Sequence, residues 1–304
     1  MKIAFNLFNV GLGNNGGSRT LLKCGETLSS LGHEVIMFSN VKSGYSWHKP
    51  IGIDFVPGQK CPKCDVVVAT GLESVQNTLE TPADKKFYYI RGYETWKATK
   101  KQLFDSYSKL HCVVNSEWLH SHLKKNGIHS DLVYPGLDID KFYNMGQERE
   151  NIVGALYSER HATKRHVDAI KIAKHAGYKI VLLNKDIKNP DEKKLNKWYN
   201  RIKVWISPTE LEGLHNPPME SSLAGCALVS TDHKKAGMGD YSINGRTSLV
   251  YAARELKEAA SYVKRLMTDE DERVKLNGEM VDLLNNKIGD RKTNMGKMVS
   301  LFSK

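Results

Sequence analysis

Cysteine is scarce: five residues in 304, an odd number, at Cys24, Cys61, Cys64, Cys112 and Cys226. A small secreted scaffold stapled by disulfides needs a denser, even set, so that class is excluded and a reducing compartment is expected. No apolar run approaches the ~18 residues of a membrane span, and Met1 opens into a strand pattern instead of a secretion signal. The expectation is a cytoplasmic chain. Internal repeats and low-complexity segments are missing too, which excludes solenoids and repetitive tails.

What is present suits a folded chain of two ordinary α/β domains. Hydrophobic residues make up 40% of the sequence, enough for a real core. Net charge is +11, divided as +3 over residues 1–148 and +8 over residues 149–304. Such a balance suits anionic ligands: nucleotide diphosphates, an acidic membrane surface or nucleic acid. Solubility alone accounts for it equally well.

Lys2 to Val10 reads as a buried strand, Arg19 to Leu31 as an amphipathic helix with Leu21, Leu22, Leu28 and Leu31 inward, and Val35 to Ser39 as a second strand. Gly11, Gly13 and Gly16 lie between strand and helix at dinucleotide-fingerprint spacing, so an NAD(P)-dependent oxidoreductase is one reading. Against it, the second strand ends in Ser39-Asn40, with no carboxylate for a ribose. Residues 41–65 read as irregular. Cys61-Pro62-Lys63-Cys64 within them is a lone pair of thiols, without a second ligand pair for zinc and without a following helix for redox work; it reads as structural.

The most informative stretch is Ser207 to Ser230. Ile202 to Ile206 is a short strand, and Ser207-Pro208 ends it because proline cannot donate to a ladder. Glu212-Gly213-Leu214 forms a loop, a helix starts at Pro217 or Pro218, and Gly225 stops it before a second strand, Ala227 to Ser230. Two carboxylates therefore flank a strand-to-helix turn: Glu212 in the loop and Glu220 in the helix. Seven residues separate them.

With the proline pair, Gly213 and Gly225, this spelling resembles the Glu-x7-Glu signature of retaining GT-B glycosyltransferases (the family 4-like, group 1 type). The likeness extends to Gly16-Gly17, to the order Val113-Val114-Asn115-Ser116-Glu117-Trp118-Leu119, to Val133–Phe142 as a linker, and to Gly237–Val250. It implies an α/β fold of two Rossmann-like doubly wound domains facing across a cleft. Residues 1–146 would be the acceptor domain, joined by a C-terminal helix at 288–304, and residues 147–287 the nucleotide-sugar domain. Asp138-Ile139-Asp140 spells a metal motif but falls in the linker pattern, so no metal and no cofactor is expected.

The resemblance also assigns roles. Glu212 would steady the cationic sugar ring and Glu220 the ribose. Lys164 matches a lysine at a helix start; the family's partner arginine is replaced by Ala155, leaving Arg160 as the candidate cation. Gly16, Gly17, Gly213, Leu214 and His215 would face the donor, with Lys185 near the base. Arg91, where relatives have a histidine, would lie on the acceptor side with Tyr93, Glu94 and Ser116, the last capping a helix. The expected acceptor is a glycan or lipid-linked glycan. A hydroxylated DNA base is an alternative, suggested by Lys97, Lys100 and Lys101 beside Tyr93 and Trp96. Peripheral membrane contact is also compatible, and so is a non-catalytic nucleotide-sugar or nucleic-acid binder.

Overall fold

The computed structural model describes residues 1–13, 15–41, 48–159, 162–184, 191–232 and 237–304. The chain divides into two units, residues 1–136 with 291–304, and residues 137–290.

Unit 1 holds seven strands and five helices among the described residues. In chain order these are β1 (Lys2–Asn6), α1 (Gly16–Ser30), β2 (Glu34–Ser39), β3 (Ile53–Pro57), β4 (Cys64–Ala69), α2 (Val75–Glu80), β5 (Ala83–Ile90), α3 (Lys100–Tyr107), β6 (His111–Val114), α4 (Glu117–Lys124) and β7 (Ser130–Leu132). The sheet order is β3-β2-β1-β4-β5-β6-β7, and every pairing is parallel. Strands such as EVIMFS and CDVVVA are near-continuous apolar runs because a parallel sheet is covered on both faces. The fifth helix is the chain's last, α10 (Arg291–Ser303), whose Met295, Met298 and Phe302 join Leu21, Leu28 and Val113 in the core.

Unit 2 contains β8 (Ile152–Tyr157), α5 (His166–Ala176), β9 (Lys179–Asn184), α6 (Glu192–Asn200), β10 (Val204–Ser207), α7 (Asn216–Leu223), β11 (Ala227–Thr231), β12 (Leu249–Tyr251), α8 (Leu256–Thr268) and α9 (Glu270–Leu283). The order β12-β11-β10-β8-β9 is again all parallel. Gly225 follows α7 at φ +94, the left-handed conformation that a helix stop requires.

Three expectations need correction. The division falls at residue 136, not 146, because residues 137–145 are tied to unit 2. The Tyr143 and Met145 amides donate to the Asn196 and Asn200 side chains of α6 at 3.1 and 2.8 Å, and the Phe142 ring meets Tyr199. At the far end the division lies at Arg291 instead of 288. Ser116 occupies the N-cap position of α4 but makes no capping hydrogen bond; its hydroxyl is buried without a partner. Finally, the stretch read as irregular contains β3, paired with β2 from Val35↔Ile53 to Ser39↔Pro57. Cys61 and Cys64 are buried against Ala4, Ile36 and Val67.

Candidate functional site

Strand order locates the site in unit 2. Between β8 and β10 the winding reverses, so the loops that leave their carboxyl ends turn to opposite faces and open a crevice. Lys164 comes from the loop after β8, Glu212 from the loop after β10, and they meet there as an ion pair. Both keep partial solvent access, with 14% and 22% of their side chains exposed. Nε2 of His215 lies 3.7 Å from the same Glu212 oxygen, and this imidazole is almost fully buried.

Several contacts fix this geometry. The Glu210 amide donates to Thr163 O at 2.8 Å, stitching one loop to the other. Arg165 takes a left-handed backbone (φ +50) and reaches Asp168 at 2.5 Å and Glu210 at 3.0 Å. His215 Nδ1 is 3.2 Å from Ser207 Oγ, and its carbonyl accepts from the Tyr241 hydroxyl at 2.9 Å. The Gly213 backbone lies so close to Gly237 that a Cβ there would stand 1.8 Å from the Gly213 oxygen. Leu214 is buried beneath the loop.

The helix that follows, α7, begins at Asn216, one residue earlier than the proline pair suggested, with Pro217 and Pro218 in its first turn. Its amino end and dipole face the same carboxyl edge of the sheet, a setting that favours anions. Glu220 turns toward α6, where Tyr199 donates its hydroxyl at 2.9 Å. Arg160 and Lys185 lie outside the described residues.

In unit 1 the winding reverses between β1 and β4. Arg91, at the end of β5, fills that place. Its guanidinium donates to Gly17 O at 2.5 Å and Thr70 O at 2.7 Å, while Nε is buried without a partner. Burial pulls its proton affinity below the ordinary value, yet a guanidinium stays charged. Gly16 and Gly17 open α1, capped by the Asn15 side chain on the Ser18 amide. Next to Arg91, the Asn115 side chain donates to Arg91 O at 3.4 Å, and Asn115 Oδ1 is buried and unpartnered, as is Ser116 Oγ. Tyr93 is buried among Phe104, Trp118 and His122, and Glu94 accepts from the Leu72 amide and the Tyr88 hydroxyl, each at 3.0 Å.

The structure thus brings Glu212, Gly213, Leu214, His215 and Lys164 together, and separately Gly17, Arg91 and, through Asn115, the neighbourhood of Ser116. Sequence reasoning missed Tyr199, Arg165, Asn115 and the closeness of Gly237 to Gly213. Tyr199 had one signal: it stands four residues after Leu195, on the inward stripe of a polar helix.

No family model and no curated protein matches the chain. Solved structures do. A sucrose-phosphate synthase from Thermosynechococcus elongatus is similar over 100% of this chain and 98% of its own, at 11% identity and a TM-score of 0.77. HepE of Anabaena in complex with UDP-glucose covers 100% and 99%, at 11% identity and 0.78. A glycosyltransferase from Rickettsia africae covers 99% and 97%, at 15% identity and 0.74. At these identities the likeness establishes the fold, and the fold is GT-B.

Proposed function

We propose that the chain is a nucleotide-sugar glycosyltransferase, retaining and metal-independent, that transfers a sugar to a hydroxyl of a glycan or lipid-linked glycan. The observation that carries this reading is the meeting of Lys164 and Glu212 at the point in unit 2 where the strand order reverses. Full-length likeness to GT-B proteins, one of them holding UDP-glucose, supports it.

Cleaving a sugar from a nucleoside diphosphate puts positive charge on the ring and negative charge on the leaving phosphate. Groups fixed in advance around both are what such a step needs. A diphosphate beside Lys164 competes with Glu212 for the ammonium, and the freed carboxylate then faces the sugar. The Gly213-Leu214-His215 backbone and the start of α7 offer amides to the phosphates, and Glu220 reaches the ribose hydroxyls. Retention follows if a donor phosphate oxygen takes the acceptor's proton on the face the donor leaves. His215, buried and held by Ser207, serves as a contact to the donor.

Hydroxyl-rich acceptors fit unit 1, where Arg91 Nε, Asn115 Oδ1 and Ser116 Oγ offer buried polar atoms without partners. The basic run is less suited to DNA: Lys97 is paired with Glu73 and Lys101 with Asp105. At the end of β2, Asn40 donates to Asn9 Oδ1 at 2.7 Å where a dinucleotide enzyme would hold the ribose with a carboxylate.

A thermal-shift screen of UDP-, GDP- and ADP-sugars against NAD tests the reading, followed by turnover of the stabilising donor with and without EDTA. A sugar nucleotide should stabilise the chain and be consumed in EDTA, and the product anomer should match the donor. Stabilisation by NAD alone would overturn the proposal, and loss of turnover in EDTA rescued by manganese would remove metal independence.

A further inference from the structure

At the amino end of β6, away from the carboxyl-end groups above, sit two histidines and an aspartate. Parallel pairing of Cys112 with Ser130 places His111 beside His129 when extended by one residue. Asp131 follows His129 by two positions, so strand alternation returns it to the same face. The side chains agree with that backbone logic. His111 Nε2 lies 2.6 Å from Asp131 Oδ2, and the two imidazole rings are 6.0 Å apart. One ligand atom from each of the three residues falls within 4.8 Å of the others.

From this we infer that His111, His129 and Asp131 form a binding site for a first-row divalent metal ion, Zn2+ or a close analogue. Two imidazoles and one carboxylate suit zinc, cobalt, nickel or copper better than magnesium or calcium, which favour all-oxygen shells. With metal–ligand bonds of about 2.0–2.2 Å, small side-chain rotations bring the three atoms onto one ion. Two of the ligands stand on paired strands, and the His111 ring is held by the edge of Phe87, itself packed on Phe302. A His111–Asp131 ion pair alone would use two of the three groups; His129 makes no hydrogen bond among the described residues. The set leaves coordination positions to water, so the ion exchanges readily. It would clip the three-residue edge strand β7 to β6 and act on stability, not on transfer.

The test uses untagged protein stripped with a chelator and titrated with Zn2+ alone, followed by calorimetry and by melting temperature. Wild type should bind one equivalent at this site and melt higher with zinc than with EDTA. Loss of an outer partner already costs about 10–100-fold in metal affinity, so His129→Gln and Asp131→Asn should each weaken binding at least about tenfold and abolish the melting shift. In EDTA the exposed His129→Gln protein should melt as wild type does, separating a lost ligand from a lost fold. Zinc affinity and melting shift that are unchanged in His129→Gln would overturn the site.

Discussion

The two units run the same kind of winding, yet they treat the point where it reverses in opposite ways. In unit 2 that point is occupied by charges that neutralise one another: Lys164 with Glu212, Arg165 with Asp168 and Glu210. In unit 1 it holds a cation, Arg91, anchored on two backbone carbonyls and making no ion pair among the described residues. Under the proposed reaction, mutual pairing would make the first site exchangeable, with a donor phosphate replacing Glu212 as the partner of Lys164. Anchoring on main-chain oxygens makes the second rigid. The proposed reaction would draw on both properties: charge that changes partners around a donor, and a fixed frame for an acceptor.

The sharpest way to break this comparison is to remove a member of the exchanging pair. Glu212→Ala should lower the transfer rate at saturating donor by ~10²–10³, the scale of losing one preorganised partner, with a smaller effect on donor affinity. Lys164→Ala should cost a similar factor, and wild-type rates in both variants would sink the assignment. Glu220→Ala should instead act mainly on donor affinity, read by donor titration.

Gly237→Ala comes next. The new methyl has to displace the Gly213 carbonyl, a backbone atom with no rotamer to escape into. Overpacking of this kind costs about 1–3 kcal/mol. Urea denaturation should show that loss, and donor titration should show weaker binding, since the displaced Gly213-Leu214 backbone is the part of the loop proposed to offer amides to the phosphates.

Arg91→Lys then probes the rigid site. A single ammonium cannot span Gly17 O and Thr70 O as the planar fork does. A stability loss of roughly 1.5–3 kcal/mol is expected, the scale of hydrogen bonds to a charged group. Acceptor KM should rise while donor affinity holds; a change confined to the donor side would show that the contrast between the two sites is misdrawn.

The smallest effect belongs to Lys101→Ala. Its partner Asp105 is one helical turn away, and both side chains are largely exposed. An i,i+4 pair of this kind contributes about 0.3–0.5 kcal/mol, so stability should barely move. Duplex DNA affinity measured across a salt series should also show no dependence on this lysine.

Legibility in the sequence followed the range of the interactions involved. The β10–loop–α7 segment was readable because Ser207-Pro208, Pro217-Pro218 and Gly225 act on their own neighbours' backbone angles. Helix α10 was visible as a helix, and the resemblance supplied its return to the first domain. Strand β7 escaped notice because three residues carry too little pattern, and β3 because Gly52, Pro57 and Gly58 surround a short alternation. The failed cap at Ser116 was beyond reach: residue type gave the position, while the packing around it decides where the hydroxyl points. Tyr199 and Gly237 matter through partners 21 and 24 positions away in the chain, Glu220 and Gly213, which no local rule encodes.

Helix α10 has a consequence for the order of events during synthesis. The ribosome delivers residues 1–136 first, but Met295, Met298 and Phe302, which complete their core, emerge after all of residues 137–290. Unit 2 is contiguous and can close as soon as it is made. Unit 1 must wait with an apolar flank on α1 uncovered, the kind of transient surface that invites aggregation. A released chain truncated after residue 290 should therefore show a protease-resistant second unit beside a susceptible first one.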